Sequence, residues 1–399
     1  MALSYYDTQV HQGIIHYAQQ AGWILETSMV HYGVPPAWWS GDGIITIFLP
    51  HREEITRYVM AQNCPVVALY ADVPQVKVAR VLLDNYRVGV LAAEHFLARR
   101  FKNFAFAKFT NYDAVAERER GFKDRLAEEE LSYTTLDFAN NRHARSTMPA
   151  SGGDSARRED EFLARLNKML ARLPRPLGLF AQSDHRANLL ISSLISLGIN
   201  IPSEISVLGV DNNPQINRFA ALPISSIDCA REQMAFQAAS LLDSLMKGEP
   251  APEEPLVVEP IGTIARESSD HYAAANEGVV RAMRFIEHNF RDPIGVRDVV
   301  RAARLGRSAL YVEFEKLFHR PISEEISFRR VVFAGDLLRE GSESIATIAS
   351  QAGFKNTETF CRVFKRMLKM TPKEYRTLHE NTLLIKKRPT KRRGQRFPR

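Results

Sequence analysis

The chain has 399 residues, 45% of them hydrophobic, and carries 53 Lys and Arg against 46 Asp and Glu for a net charge of +7. That length exceeds one ordinary core and implies two or three domains, and the mixed composition excludes a disordered chain. No apolar run approaches the roughly 20 residues that span a bilayer, the opening MALSYYDTQVHQG lacks the build of a secretory signal, and Cys64, Cys229 and Cys361 have neither disulfide-framework nor zinc-ligand spacing. A cytoplasmic protein with reduced thiols, no metal and no membrane contact is expected. The charge is uneven: from Tyr272 onward there are 27 Lys and Arg against 14 Asp and Glu, +13, which leaves −6 for the rest. A basic third on an acidic remainder is the footprint of a nucleic-acid-binding module joined to something else.

The first 260 residues alternate short apolar runs with amphipathic helical stretches, the pattern of an α/β domain with parallel sheets. Strands are predicted at Gly43–Phe48, Val66–Tyr70, Val81–Asp84, Phe104–Lys108, Leu177–Ala181 and Ile205–Val210. Helices are predicted at Val88–Arg99, where Val88, Leu91, Ala92, His95 and Phe96 share a face, and at Gln233–Met246, which ends at Gly248 and the proline-rich EPAPEEP. Met148–Arg158 reads as a surface loop and Glu267–Glu277 as a linker. The tail from Lys386, KKRPTKRRGQRFPR, has no hydrophobic period and reads as disordered; it serves either as a salt-sensitive phosphate attractor or only as a solvated end.

Several strands are followed at once by polar residues: Asp84-Asn85, then Asp113 with Glu117-Arg118-Glu119-Arg120, then Gln182-Ser183-Asp184, then Asp211-Asn212-Asn213. Ligands of open α/β sheets bind outside the carboxyl ends of the strands, so these clusters form the candidate site. Arginine forks and carboxylates suit a polyhydroxylated ligand, because each hydroxyl both donates and accepts. Asp184 and Asn85 suit helix caps equally well, and Glu117 and Arg118 also suit a surface ion pair.

Toward the C-terminus, VRDVVRAARLGRSALYVEFEKLF (Val296–Phe318) and ATIASQAGFKNTETFCRVFKRML (Ala346–Leu368) repeat at an offset of fifty residues. Val299 matches Ala349, Ala302 matches Ala352, Leu310 matches Phe360, Phe314 matches Phe364 and Phe318 matches Leu368. Each reads as a helix-turn-helix, and a linking helix is predicted over roughly Ser323–Arg339. In the second repeat Gly353 suits the turn and Asn356 caps the next helix, whose Phe360, Val363, Phe364 and Met367 face inward. That leaves Thr357, Glu358, Cys361 and Arg362 outward for a major groove. Arg362 suits guanine or a phosphate; Glu358 either accepts from cytosine or only complements the helix N-terminus. Thr371-Pro372-Lys373-Glu374 is a capping box. In the first repeat Gly306 holds the cap, the outward residues are Arg307, Ser308, Tyr311 and Val312, and Val312 stands where the second repeat has Arg362. Readout there is expected from Arg307 and Tyr311. The two helices would enter successive major grooves about 34 Å apart.

Residues Asn276–Arg376 resemble the AraC family of bacterial transcription regulators, through Ile345–Phe354 (IxxIAxxxGF), Phe360–Lys365 (FxRxFK) and Thr371–Arg376 (TPxxYR). Gly306 and Val312 depart from the serine and arginine frequent in that family. Tyr5–Glu267 resembles the sugar-binding domains of LacI-type repressors and periplasmic binding proteins, through Asp84–Phe106, Arg118–Phe122 (RERGF), Ser183–Ala187 (SDHRA), Ile205–Pro214 (ISVLGVDNNP) and Gln237–Glu254. This resemblance puts effector contacts on Arg118 and Asp211, with Ser183 or Asp184 at a third contact point and Asp7 and Glu117 as further candidates. That family usually carries a complete first strand before the YD segment, and here only Met1–Ser4 precede Tyr5, so either the start is misassigned or the first strand is shortened.

The expected architecture is an α/β, two-lobed, periplasmic-binding-protein-like sensor with parallel sheets (1–265), a linker (266–277), an all-α domain with two helix-turn-helix motifs (278–378) and a basic tail (379–399). A LacI-like sensor followed by an AraC-like reader resembles bacterial regulators of pentose operons. That implies D-xylose or a related sugar as effector, no cofactor, a homodimer on an operator of double-stranded DNA and, for an activator, RNA polymerase as partner. A sugar-binding transport component would share the sensor but not the repeat. An enzyme is not expected: there is no nucleophile elbow, phosphate-cradling loop or metal-ligand cluster, and His11, His143 and Cys64 read as ordinary side chains.

Overall fold

The computed structural model describes residues 2–3, 7–29, 39–49, 52–70, 76–139, 154–273, 276–318, 320–340, 343–368 and 370–377. The chain forms two compact units, Met1–Ala273 and Ala274–Arg399.

The first unit has two lobes. One begins with β1 (Ala2–Leu3), α1 (Thr8–Ala21), β2 (Ile44–Ile47), α2 (Glu53–Met60), β3 (Val66–Leu69) and β4 (Ala79–Leu83). The other holds α3 (Asn85–Ala98), β5 (Asn103–Lys108), α4 (Asp113–Ala127), β6 (Thr134–Asp137), α5 (Asp154–Leu170), β7 (Leu177–Ala181), α6 (Asp184–Ser196), β8 (Ile205–Val210), α7 (Pro214–Phe219) and β9 (Ser225–Asp228). The chain returns to the first lobe with α8 (Arg231–Met246) and β10 (Leu256–Val258), then crosses back for β11 (Gly262–Ile264) and a 3-10 turn at Glu267–Ser269. The sheets have strand orders β1-β2-β3-β4-β10 and β11-β9-β8-β7-β5-β6, parallel except for β11 against β9.

All six predicted strands form, β7 and β8 with the predicted ends and the other four with ends shifted by a residue or two. β7 and β8 are buried along their whole length, as continuous apolar runs under helices on both faces should be. The sequence pattern missed β9 because it reads Ser-Ser-Ile-Asp. Its serines are fully buried because their hydroxyls are satisfied: Ser225 Oγ donates to Arg266 O (2.8 Å) and Ser226 Oγ to Asp184 (2.6 Å). Helices α3 and α4 cross through two glycines. A Cβ on Gly89 would sit 2.0 Å from Arg118 O, and one on Gly121 would sit 2.0 Å from Tyr86 O, so only glycine allows this approach.

The stretch expected to be a linker belongs to the sensor. Ser268 Oγ donates to Val207 O (2.7 Å) and accepts from Ser225 N (2.8 Å), Ser269 Oγ meets His95 Nε2 (2.7 Å), and Arg99 Nε donates to Ser269 O (3.1 Å). Tyr272 is fully buried and Ala273 N donates to Arg99 O. Polar composition suggested a tether, but each serine hydroxyl closes a bond in the sheet or on α3. Residues 154–158 of the expected loop open α5 instead, while 148–153 and the basic tail lie outside the described residues.

The second unit consists of α9 (Glu277–Asn289), α10 (Val296–Ala303), α11 (Arg307–Phe318), α12 (Ile322–Glu340), α13 (Ile345–Gln351) and α14 (Thr357–Leu368), with a last turn of helix at 372–377. The linking helix α12 carries Glu325, whose carboxylate is fully buried between Arg320 (2.6 Å) and Arg329 (2.7 Å), and Arg329 reaches Glu287 on α9 (3.1 Å). Arg320 also lies over the Phe328 ring, 4.1 Å from its centroid.

Candidate functional site

The polar residues at the carboxyl ends of both sheets converge. Asp7, after β1, caps α1 by accepting from Val10 N (2.9 Å) and is 4% exposed. Its other oxygen pairs with Arg231 Nη1. Arg231, the first residue of α8, also binds Asp211 after β8 (Nη2 to Oδ1, 2.6 Å). One guanidinium therefore ties the edges of the two sheets together through two carboxylates, a charge-assisted arrangement that a planar fork suits and an ammonium does not.

Arg118 is buried on α4 and donates from Nε to Asn85 Oδ1 (2.9 Å) and from Nη1 to Gln182 O (2.5 Å). Among the described residues its Nη2 has no hydrogen-bond partner. Gln182 in turn accepts from Thr110 N (3.2 Å) and donates to Thr110 Oγ1 (3.1 Å), which fixes the loop after β5. The Arg186 guanidinium covers the Phe109 ring, 4.7 Å from its centroid.

The turn after β8 is held in an unusual backbone. Asp211 and Asn212 have φ of 109° and 47°, the left-handed side that non-glycine residues avoid. Asp184 accepts from Asn213 N (2.8 Å), Ser226 Oγ from Asn212 N (2.9 Å), and Arg266 Nη2 donates to Asn212 Oδ1 (2.7 Å). These bonds aim Asp211 at Arg231. Cys229 Sγ also faces Asp211 Oδ1 at 4.0 Å, and burial pushes its thiol up to about 12, so it stays protonated and unreactive.

Several expected roles change. Ser183 is the N-cap of α6, accepting from Arg186 N (3.4 Å), and Asp84 is the N-cap of α3, accepting from Arg87 N (2.8 Å). Asp184 and Asn85 each sit one residue later, so neither is a cap. Glu117 pairs with Arg120 (2.6 Å) on the exposed side of α4, facing away from Arg118 one residue on. Adjacent helical residues point about 100° apart, which is why a run of four charges cannot share one site. The residue that sequence reasoning missed is Arg231. It follows β9, the serine strand, so the rule that ligands gather after strand ends had no strand to start from.

Asp184 is fully buried, and its carboxyl is pushed up to about 7, first by burial and then by the nearby Asp211 carboxylate. The folded state thus holds a proton that the unfolded chain releases near pH 4. By linkage, this group's contribution falls as pH rises from about 4 to about 7 and is flat above that. The expected result is that Asp184→Asn flattens the loss of thermal stability across this window, measured by melting the protein from pH 5 to pH 8.

A cavity of about 530 Å³ lined by Trp23, Leu25, Trp39, Leu242 and Met246 lies elsewhere in the sensor. It abuts Gly43, at the amino end of β2, and so is separate from the carboxyl-edge site.

In the second unit both helix-turn-helix motifs form. Gly353 takes φ +80° in the turn, and a Cβ there would also meet Arg291 O at 2.5 Å. Asn356 caps α14 by accepting from Thr359 N (2.8 Å), and Thr371 and Glu374 exchange their capping-box bonds (2.7 and 3.2 Å). Phe360 and Phe364 are buried with Phe354 and Tyr375 around them. Glu358 and Arg362 are exposed, Thr357 is half-buried, and Cys361 is half-buried against the aromatic core. On α11, Leu310, Phe314 and Phe318 are buried, and Arg307, Ser308 and Val312 are exposed. Arg307 lies over the Tyr311 ring (5.5 Å to its centroid). In the first repeat it is Ala303, not Ala302, that enters the core fully.

The chain matches the periplasmic binding protein-like domain family over residues 93–269 and a helix-turn-helix domain family over residues 299–377. Together these two units have the make-up of an AraC-type DNA-binding transcription regulator with a periplasmic-binding-protein-like sensor. The chain is similar to the xylose operon regulatory protein of Escherichia coli K12, with 27% identity over 95% of this chain and 96% of the relative. It is equally similar to that of Haemophilus influenzae, with 27% identity over 93% and 95%. Among solved structures, that of a xylose-binding transcription activator superposes with a TM-score of 0.56 and 26% identity, covering 94% of this chain and 97% of that one. Among the described residues no helix is long and apolar enough to cross a membrane.

Proposed function

We propose that this regulator senses D-xylose, or a pentose closely related to it, and activates pentose catabolic genes from the cytoplasm. The observation that carries the reading is the Asp7–Arg231–Asp211 bridge with Arg118 beside it at the carboxyl edges of both sheets. Two carboxylates and two guanidinium groups offer acceptors and donors on facing sides, which is what adjacent sugar hydroxyls require. Relatives of nearly the same length that bear the name of a xylose operon regulator supply the choice of sugar.

Arg118, Asp211, Asp7 and Arg231 contact the sugar. Asp184 and Ser183 shape the edge from beneath. Sugar binding shifts a two-state homodimer, and the second unit carries that shift to an operator in duplex DNA, where Arg307, Ser308, Tyr311, Thr357, Glu358, Cys361 and Arg362 face the major groove and the activator engages RNA polymerase.

The test is a thermal-shift screen of pentoses and hexoses. A true effector at a hundred times its dissociation constant stabilises by about 2.7 kcal/mol. Arg118→Ala is expected to abolish that shift and to leave sugar-free DNA binding intact. Loss of both together would assign Arg118 to folding instead.

A further inference from the structure

The two reading helices present different chemistry. At the fifty-residue offset Ser308, Ala309 and Val312 correspond to Glu358, Thr359 and Arg362. All three α11 residues are exposed, and Val312 is 64% exposed, which makes it one of two exposed large hydrophobic side chains described in the second unit, with Val332. Leu310, Phe314 and Phe318 already fill the inward stripe of α11, so Val312 is not needed for packing. Of the polar residues nearby, Arg307 and Tyr311 are engaged with each other: Arg307 covers the Tyr311 ring and its Nη2 donates to the Tyr311 hydroxyl (3.4 Å). What projects from the middle of the helix is a small apolar face built of Ala309 and Val312.

A major groove displays one apolar group, the C5-methyl of thymine, and a branched aliphatic side chain can cover it with no hydrogen bond left unmade. Arg362 at the equivalent position suits the acceptor edge of guanine. We infer that Val312 reads a thymine methyl, so that the operator half contacted by α11 requires a thymine where the half contacted by α14 takes guanine. This rests on the assignment of both helices to DNA reading given above.

The experiment selects duplex sites with the full-length protein from a random pool, then replaces each selected thymine by deoxyuridine, which removes only the methyl group. At one position in one half-site this is expected to weaken binding roughly fourfold, the factor that burying one methyl gives. Val312→Ala should bind thymine and deoxyuridine equally there, and Val312→Arg should select guanine. Arg362→Ala should disturb the other half-site and leave the thymine preference in place. The side chain is exposed, so these variants fold. Selected sites without a sensitive thymine, or a sensitivity that survives Val312→Ala, overturn the inference while DNA reading stands. Failure of the unaltered protein to select any duplex overturns the DNA-reading assignment and the inference with it.

Discussion

Replacing Arg231 by alanine is expected to destabilise the sensor by about 3–5 kcal/mol and to eliminate its thermal response to sugar. Asp7 and Asp211 have side chains only 3% and 13% exposed, and both depend on this one guanidinium. Without it two carboxylates face each other out of water, and a buried charge left unpaired costs more than the pair itself contributes. A second variant separates charge from packing. Asp7→Asn and Asp211→Asn added to Arg231→Ala should recover part of the lost stability, since asparagine still caps α1. Recovery of stability without recovery of the sugar response, by melting with and without pentose, is the expected outcome. If the triple variant is no more stable than Arg231→Ala, the bridge is not the source of the loss.

The second large effect is expected in the DNA-binding unit. Glu325→Ala removes the one acid held between Arg320 and Arg329 and should cost about 3 kcal/mol. The figure sits at the lower end for buried pairs because the arginine side chains are 29% and 21% exposed and regain water. Because Arg329 also bonds Glu287, the change loosens α9 from α12, and duplex DNA binding should fall in step with the melting of this unit. The sugar-induced shift of the sensor should persist. A variant that melts as the parent does but fails to bind DNA would place Glu325 in the reading surface instead.

Much of this is legible in the sequence. Continuous apolar runs fixed β7 and β8 to the residue, and the repeat around Gly353 and Asn356 located the second helix-turn-helix together with its cap. Arg118 and Asp211 were singled out as candidates because their clusters follow visible strands and because the family resemblance points to them. Arg231 was not, since it pairs with a residue 224 positions earlier and follows a strand whose burial depends on serine hydroxyls finding partners across the fold. Periodicity reports which side chains are apolar; it does not report which polar ones are satisfied. The same gap misjudged Glu117, whose neighbours in sequence are not its neighbours in space, and the serine-rich stretch after residue 265.

That last stretch bears on how such a protein can be assembled from parts. A sensor ended at residue 265 would leave Val207 O, Ser225 N and His95 without the partners that Ser268 and Ser269 give them. The inheritable module therefore ends at Ala273, after the final bond to Arg99, and not where the last strand stops. A gene fusion that exchanged output domains would have to cut between Ala273 and the Asn276 cap of α9 to deliver two halves that each keep their own bonds.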